Sequence, residues 1–222
     1  MSPSKENYLK NIFELQQSFQ KVTNKKLAEM MHVSAPSVTE MLVALAQANY
    51  ITHTPYNHIT LTASGLATAE KLVKKHRLWE VFLVNKLHYQ INNVHQAADA
   101  LEHSTDDDLT ERLNNYLHHP QKCPHGSIIP GNGQGETDAD DWVLSDVAVQ
   151  QQVQIVRILD NREFLDNFAD LGLELNQIIT VIQHSPFDDS VLIRTADHHE
   201  ISVSSKSADF IFVEPVSAAK VK

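Results

Sequence analysis

Between Val94 and His103 the chain sets His95, Asp99, Glu102 and His103 at relative positions 0, +4, +7 and +8, offsets that fall on one face of an α-helix. Such a face must either turn its imidazoles and carboxylates to water or gather them around a cation. Nitrogen and oxygen donors suit a divalent transition metal, and with no thiolate among the four, manganese, iron(II) or zinc fit better than copper(I). Spacing alone leaves the solvated face and the metal site both open.

The 222 residues are 42% hydrophobic and 21% charged, which suits a globular chain of two domains and excludes a disordered or fibrous one. No apolar run approaches the roughly 18 residues of a membrane span, and residues 1–10 are polar. A cytoplasmic protein with no membrane partner is expected. A single cysteine, Cys123, excludes an internal disulfide and fits a reducing compartment. The net charge of −10 is uneven: residues 1–77 hold nine Lys/Arg against five acids, so that segment is +4 and the remainder −14. Phosphate binding is therefore open to the N-terminal end only.

Ser4 can cap a first helix whose apolar stripe is Tyr8, Leu9, Ile12, Phe13, Leu15 and Phe19. Thr23 or Asn24 can cap a second, short helix that stops near His32 and Val33. Ser34 opens a third, with Pro36 in its first turn, Val38, Met41, Leu42 and Leu45 inward, and Ala35, Ser37, Thr39 and Glu40 outward. Two β-favouring runs, Tyr50 to Thr54 and Ile59 to Thr62, follow around Pro55–His58 and predict a hairpin wing. Three helices and a wing, with Lys25, Lys26 and the local positive charge, predict a DNA-binding winged helix-turn-helix.

Thr62 can cap a long helix that carries His76 and Glu80 at i and i+4, a pair that is an ordinary core contact unless other ligands meet it. Asn92 or Asn93 can cap the His95–His103 helix, and Ser104 or Thr105 a further one with Leu109, Leu113, Tyr116 and Leu117 as its apolar positions. Spare apolar surface on these helices would suit a dimer interface. Residues 121–141 turn to Pro, Gly and polar types and predict a linker, within which Cys123 and His125 form a Cys-x-His pair. Beyond Trp142, five short strands (Val153–Leu159, Ile178–Ile182, Ser190–Arg194, Glu200–Ser204, Phe210–Val213) and one helix near Glu163–Leu171 predict a small β-barrel.

Tyr8-Leu9 with Ile12, the run Ser34-Ala35-Pro36-Ser37-Val38-Thr39, Lys75-His76-Arg77-Leu78 before Glu80, the His95…Asp99…Glu102-His103 helix and Cys123-Pro124-His125-Gly126 together resemble the diphtheria-toxin-repressor family of metal-dependent transcriptional regulators, most closely its manganese-sensing branch. The resemblance covers nearly the whole chain. It implies a mainly α fold with a small β domain: a winged helix-turn-helix DNA-binding domain over 1–75, dimerisation and metal-binding helices over 76–120, the linker, and an SH3-like (FeoA-like) domain over 142–222. It further implies a Mn(II)-activated homodimeric repressor on double-stranded operator DNA of metal-uptake (manganese transport) genes, with no small-molecule substrate. The primary metal site would use Asp99, Glu102, His103 and the helix-one position of Asn7. The family has a carboxylate or thioether there, and Asn7 offers a neutral carbonyl oxygen, so the site binds less tightly, works through water or recruits Glu6. A second site would use Glu80, Cys123, His125 and Asp160, with His76 and His95 nearby. Ser34, Ala35, Pro36, Ser37, Thr39 and Glu40 would face the DNA. The alternatives are an iron(II)-responsive repressor of the same architecture and a metal-dependent hydrolase. The hydrolase lacks a His-Glu-x-x-His segment and any evident nucleophile.

Overall fold

In the computed structural model, which describes residues 1–17, 21–52, 59–133 and 142–216 (162 and 163 by backbone alone), the N-terminal apolar stripe becomes helix α1 (Pro3–Gln17). Pro3 opens it, where a missing N–H costs nothing, so Ser4 lies inside the first turn rather than capping it. Tyr8, Leu9, Ile12, Phe13 and Leu15 are buried as the 3.6-residue period requires; Phe19 lies outside the described residues. Lys10 is buried with them, at 6% exposure.

Thr23 caps α2 (Asn24–Met31), its side chain accepting from the Lys26 N–H, and His32 ends the helix in the left-handed region at φ 52°. Ser34 caps α3 (Ala35–Gln47) through the Ser37 N–H. Val38, Leu42 and Leu45 of α3 are buried, while residues 34–37, 39 and 40 are exposed. β1 (Ile51–Thr52) pairs antiparallel with β2 (Thr60–Leu61), Ile51 facing Leu61; the expected turn of the wing, 53–58, lies outside the described residues. These helices and the hairpin share one core with Ala69 and Val73 of α4 (Ala63–Leu87).

Thr62 caps α4 through the Gly65 N–H at 3.1 Å and donates to the Asn49 carbonyl at 2.7 Å, which ties the end of the wing to the end of α3. A 3-10 turn, Ile91–Asn93, leads into α5 (Val94–Glu102), so neither Asn92 nor Asn93 caps it. Helix α6 (Asp107–Tyr116) is capped by Asp106 rather than by Ser104 or Thr105; the Thr105 hydroxyl instead accepts from the Trp79 indole at 2.8 Å.

The chain divides into two compact units: the first takes the described parts of residues 1–88, 96–123 and 128–139, the second those of 89–95, 124–127 and 140–222. The described part of the expected linker is tied down. Ile129 is fully buried beside Leu78, Val81, Leu113 and Cys123, and Asn132 exchanges side-chain hydrogen bonds with Asn114. In the second unit, β3 (Trp142–Val143), β4 (Gln152–Ile158), β5 (Ile178–His184), β6 (Val191–Thr195), β7 (Glu200–Val203) and β8 (Ile211–Pro215) make one antiparallel SH3-like sheet in the order β3-β8-β4-β5-β6-β7. Alternation places Val153 and Ile155, Ile179 and Val181, and Val191 and Ile193 in its core, against α7 (Arg162–Asp170) and α8 (Ser205–Ala208). Bulges in the β4–β8 and β5–β6 ladders bend the sheet. The two-residue β3 and one-turn α8 are too short to leave a periodic signal, and the sequence reading had neither.

Gly65 lets α4 press on the chain leaving α3: a Cβ there would stand 1.9 Å from the Tyr50 carbonyl oxygen. Gly→Ala inside an exposed helix gains about 1 kcal/mol. Here Gly65→Ala is expected to cost roughly 2 kcal/mol or more, since backbone has to move. A thermal melt checks the sign, and an unchanged or raised Tm would mean α4 and Tyr50 separate freely.

Candidate metal centre and DNA-binding face

Residues i, i+3 and i+7 of one α1 face are Asn7, Lys10 and Glu14. Lys10 Nζ donates to Asp99 Oδ1 at 2.8 Å and to both oxygens of Glu102 at 2.9 and 3.0 Å, and lies 3.4 Å from His76 Nδ1. The Glu102 side chain is fully buried, and its Oε2 is 2.5 Å from His76 Nδ1; His76 Nε2 in turn lies 3.2 Å from Glu80 Oε1. Glu14 pairs with the buried Arg77 at 3.1 Å. A buried relay thus runs from Asp99 through Lys10, Glu102 and His76 to Glu80, joining α1, α4 and α5. Burial pushes the Lys10 ammonium towards losing its proton, but the charges of Glu102 and Asp99, with their hydrogen bonds, outweigh it and hold its pKa above the usual lysine range.

His76, Asp99 and Glu102 each offer one donor atom, all within 4.8 Å of one another, a spacing that suits a single cation. Beside them, Glu6 Oε2 lies 2.7 Å from His103 Nδ1, and His103 Nε2 lies 3.5 Å from Glu102 Oε1. With Nδ1–H donating to Glu6, the neutral ring presents its Nε2 lone pair on the Glu102 side. Among the described residues, His103 Nε2 and Asn7 Oδ1 are buried without a hydrogen-bond partner. A buried acceptor left unsatisfied costs free energy that a cation would return. An imidazole nitrogen, an amide oxygen and the carboxylates of Asp99 and Glu102 are donors that fit a hard or borderline divalent ion.

Glu6 is hydrogen-bonded to His103 here, a contact that the sequence pattern does not predict. Lys10 was missed altogether. Its signal was nonetheless present, a lysine between Leu9 and Ile12 on a stripe that has to be buried.

The second ligand set is divided between the units. His76, Glu80 and Cys123 belong to the first, where Cys123 is buried beside Ile129. His95, His125 and Asp160 belong to the second, where His95 Nδ1 is 2.7 Å from Asp160 Oδ2 and the fully buried His125 places Nε2 3.2 Å from the Ile91 carbonyl. Gly126 lets this turn approach β4: its φ is +88° and a Cβ would meet the Val156 carbonyl at 2.2 Å.

On the α3 face, Ser34 and Ser37 share a hydroxyl hydrogen bond at 2.8 Å, and Thr39 accepts from Asn24 at 3.1 Å. Ala35, Pro36 and Glu40 are exposed beside them. Lys25 is exposed and only loosely paired with Glu29, at 3.8 Å; Lys26 is half-buried on the same helix.

A winged helix-turn-helix coupled through α1 to a cluster of cation ligands defines a metal-dependent DNA-binding regulator. Comparison with known proteins narrows the class. Residues 1–59 match the N-terminal DNA-binding domain of iron-dependent repressors, residues 62–131 their metal-binding and dimerisation domain, and residues 143–215 the FeoA domain. The chain is similar to the manganese regulator SloR, whose solved structure shares 34% identity and a TM-score of 0.86 over 97% of this chain and 100% of that one. It is likewise similar to a manganese-dependent transcriptional repressor solved in complex with manganese, at 35% identity and a TM-score of 0.82 over 96% and 100% of the chains. The iron-dependent repressor IdeR of Mycobacterium leprae is 26% identical over 95% of this chain and 96% of its own. The chain belongs to the diphtheria-toxin-repressor family of metal-dependent transcriptional repressors, DNA-binding regulators rather than enzymes. Among the described residues no helix is long and apolar enough to cross a membrane.

The Glu6 contact fixes which nitrogen of His103 carries its proton. Two-bond proton–nitrogen spectra of the metal-free protein should show the neutral His103 ring protonated at Nδ1, and Glu6→Ala should return it to a mixture rich in the Nε2–H form. An Nε2–H ring in the unaltered protein would remove the lone pair from the proposed ligand position.

Proposed function

We propose that the chain is a Mn(II)-activated homodimeric repressor of operator DNA, acting in the cytoplasm on metal-uptake genes. One observation carries this reading: the acidic cluster of α5 is bonded to α1, and α1 packs on α2, α3 and α4. Whatever cation sits among Asn7, Asp99, Glu102 and His103 therefore acts on the helix that supports the recognition helix.

Asn7 and His103 offer their unpartnered donors, Asp99 and Glu102 supply the negative charge, and Glu6 holds the imidazole in the required tautomer. A divalent ion bound there supplies a cross-link between α1 and α5. Fixing α1 restricts where the two α3 helices of a dimer point, and so selects the spacing that fits successive major grooves. Ser34, Ala35, Pro36, Ser37 and Thr39 then meet base edges and phosphates, Glu40 faces the DNA as an acceptor for a cytosine amino group, and Lys25 and Lys26 reach phosphates. Exposed Leu109 and Tyr116 on α6 supply apolar surface for the second copy. Manganese is favoured because none of these donors is sulfur, and because the similar manganese regulators share more identity with the chain than IdeR does. A repressor that needs its metal bound shuts its targets when metal is plentiful, which is the logic required of uptake genes.

The test is operator binding by gel shift with Mn(II), Fe(II), Zn(II) and chelator. Mn(II) should tighten binding, and equal affinity in Mn(II) and chelator would sink the switch. Asp99→Asn and Glu102→Gln, which keep shape and remove charge, should lose the stimulation but keep weak, salt-sensitive DNA association. Asn7→Asp adds a charged ligand and should lower the Mn(II) Kd by about tenfold, ~1.4 kcal/mol, in calorimetry; an unchanged Kd would remove Asn7 from the ligand set.

A further inference from the structure

We infer that Lys10 is a built-in cation of the metal centre: its ammonium holds α1 to α5 in the metal-free protein and has to leave Glu102 when a divalent ion binds. The inference rests on the reading that the α5 acids are metal ligands, and adds to it what occupies them otherwise.

The geometry is that of an occupied cation position. Nζ lies within 2.8–3.0 Å of three carboxylate oxygens from Asp99 and Glu102 and 3.4 Å from His76, the same three residues whose donors are spaced for one ion. An ammonium has three protons to donate, and the oxygens of Asp99 and Glu102 satisfy them. Lys10 is 6% exposed and the Glu102 side chain is fully buried, so neither charge can be left without a partner.

Position decides the exchange. Nζ stands within 3.0 Å of Asp99 Oδ1 and of both Glu102 oxygens. A dication ligated by those same oxygens would lie against the ammonium, and like charges at that distance repel. Lys10 has a four-carbon stem rooted in α1 and can swing its ammonium to solvent, which a buried arginine fork or a metal ligand on rigid backbone cannot do as readily. The consequence for regulation is a graded switch. The metal-free protein keeps part of the α1–α5 coupling through Lys10, and Mn(II) has to displace a competitor tethered to the same site.

Two measurements test it. In wild-type protein, reductive methylation read by peptide mass spectrometry should find Lys10 protected in chelator and labelled at saturating Mn(II), while exposed Lys25 is labelled alike in both. In calorimetry Lys10→Met should bind Mn(II) at least tenfold more tightly than wild type. Its Tm should fall in chelator and recover with Mn(II). If Lys10→Met does not fold without metal, Lys10→Gln carries the affinity comparison and the wild-type footprint stands independently. Lys10 staying protected while Mn(II) is bound, or a variant affinity equal to or weaker than wild type, overturns the inference and leaves the metal-switch reading intact. Absence of any Mn(II) binding to wild type overturns both.

Discussion

The buried contact between the Lys10 ammonium and the carboxylates of Asp99 and Glu102 is the constraint on which the first unit depends. Lys10 and Glu102 stand buried where apolar residues would be cheaper, and each is tolerable only because the other is in place, with the part-exposed Asp99 beside them. Replacing such a cluster with well-packed aliphatic residues commonly preserves or raises stability. Its presence here is therefore poorly explained as a device for holding α1, α4 and α5 together. It is well explained as a seat for a cation that can be exchanged, with Glu102 the fixed member: His76 on one side, Lys10 on the other and His103 3.5 Å away.

Helix α1 is what converts that seat into a signal. Its apolar stripe of Tyr8, Leu9, Ile12 and Phe13 belongs to the DNA-binding core, while Lys10 and Glu14 reach residues of α4 and α5 and Glu6 reaches His103. Packing at interior density transmits displacement rather than absorbing it. In the proposed switch, a change of partner at Lys10 or Asn7 would reach α3 through this packing, without any contact between the metal centre and DNA. The face of α3 that would meet DNA is built separately, from the Ser34 cap and exposed small residues, and owes nothing to the cation.

Periodicity made the helices legible, and their start signals were as good as their side chains were explicit: Thr23, Ser34 and Thr62 cap where their hydroxyls suggest. It failed where three cap residues competed, at Ser104, Thr105 and Asp106. There the carboxylate took the cap, and the threonine hydroxyl went to Trp79. The Gly- and Pro-containing stretch after Pro120 read as linker because composition reports backbone freedom, not the burial of one residue such as Ile129. Asp99, Glu102 and His103 were visible as a helix face. The burial of Lys10 is implied by its place on the apolar stripe, but the partners of Lys10 and Glu6 are not legible, since both depend on which helix lies opposite, and a single sequence carries no direct record of that.

Asn7 and Lys10 are best understood together. A carboxylate at position 7 would add a third negative charge close to Asp99 and Glu102, and one ammonium would then leave the metal-free cluster strongly anionic and short of a partner. With a neutral amide at that position the cluster has one negative charge fewer for Lys10 to offset, at the cost of a weaker ligand for a divalent ion. The same substitution therefore strengthens the metal-free state and weakens the metal-bound one. Under the proposed exchange both effects would raise the free metal concentration required, with position 7 setting the threshold and Asp99, Glu102 and His103 the kind of ion.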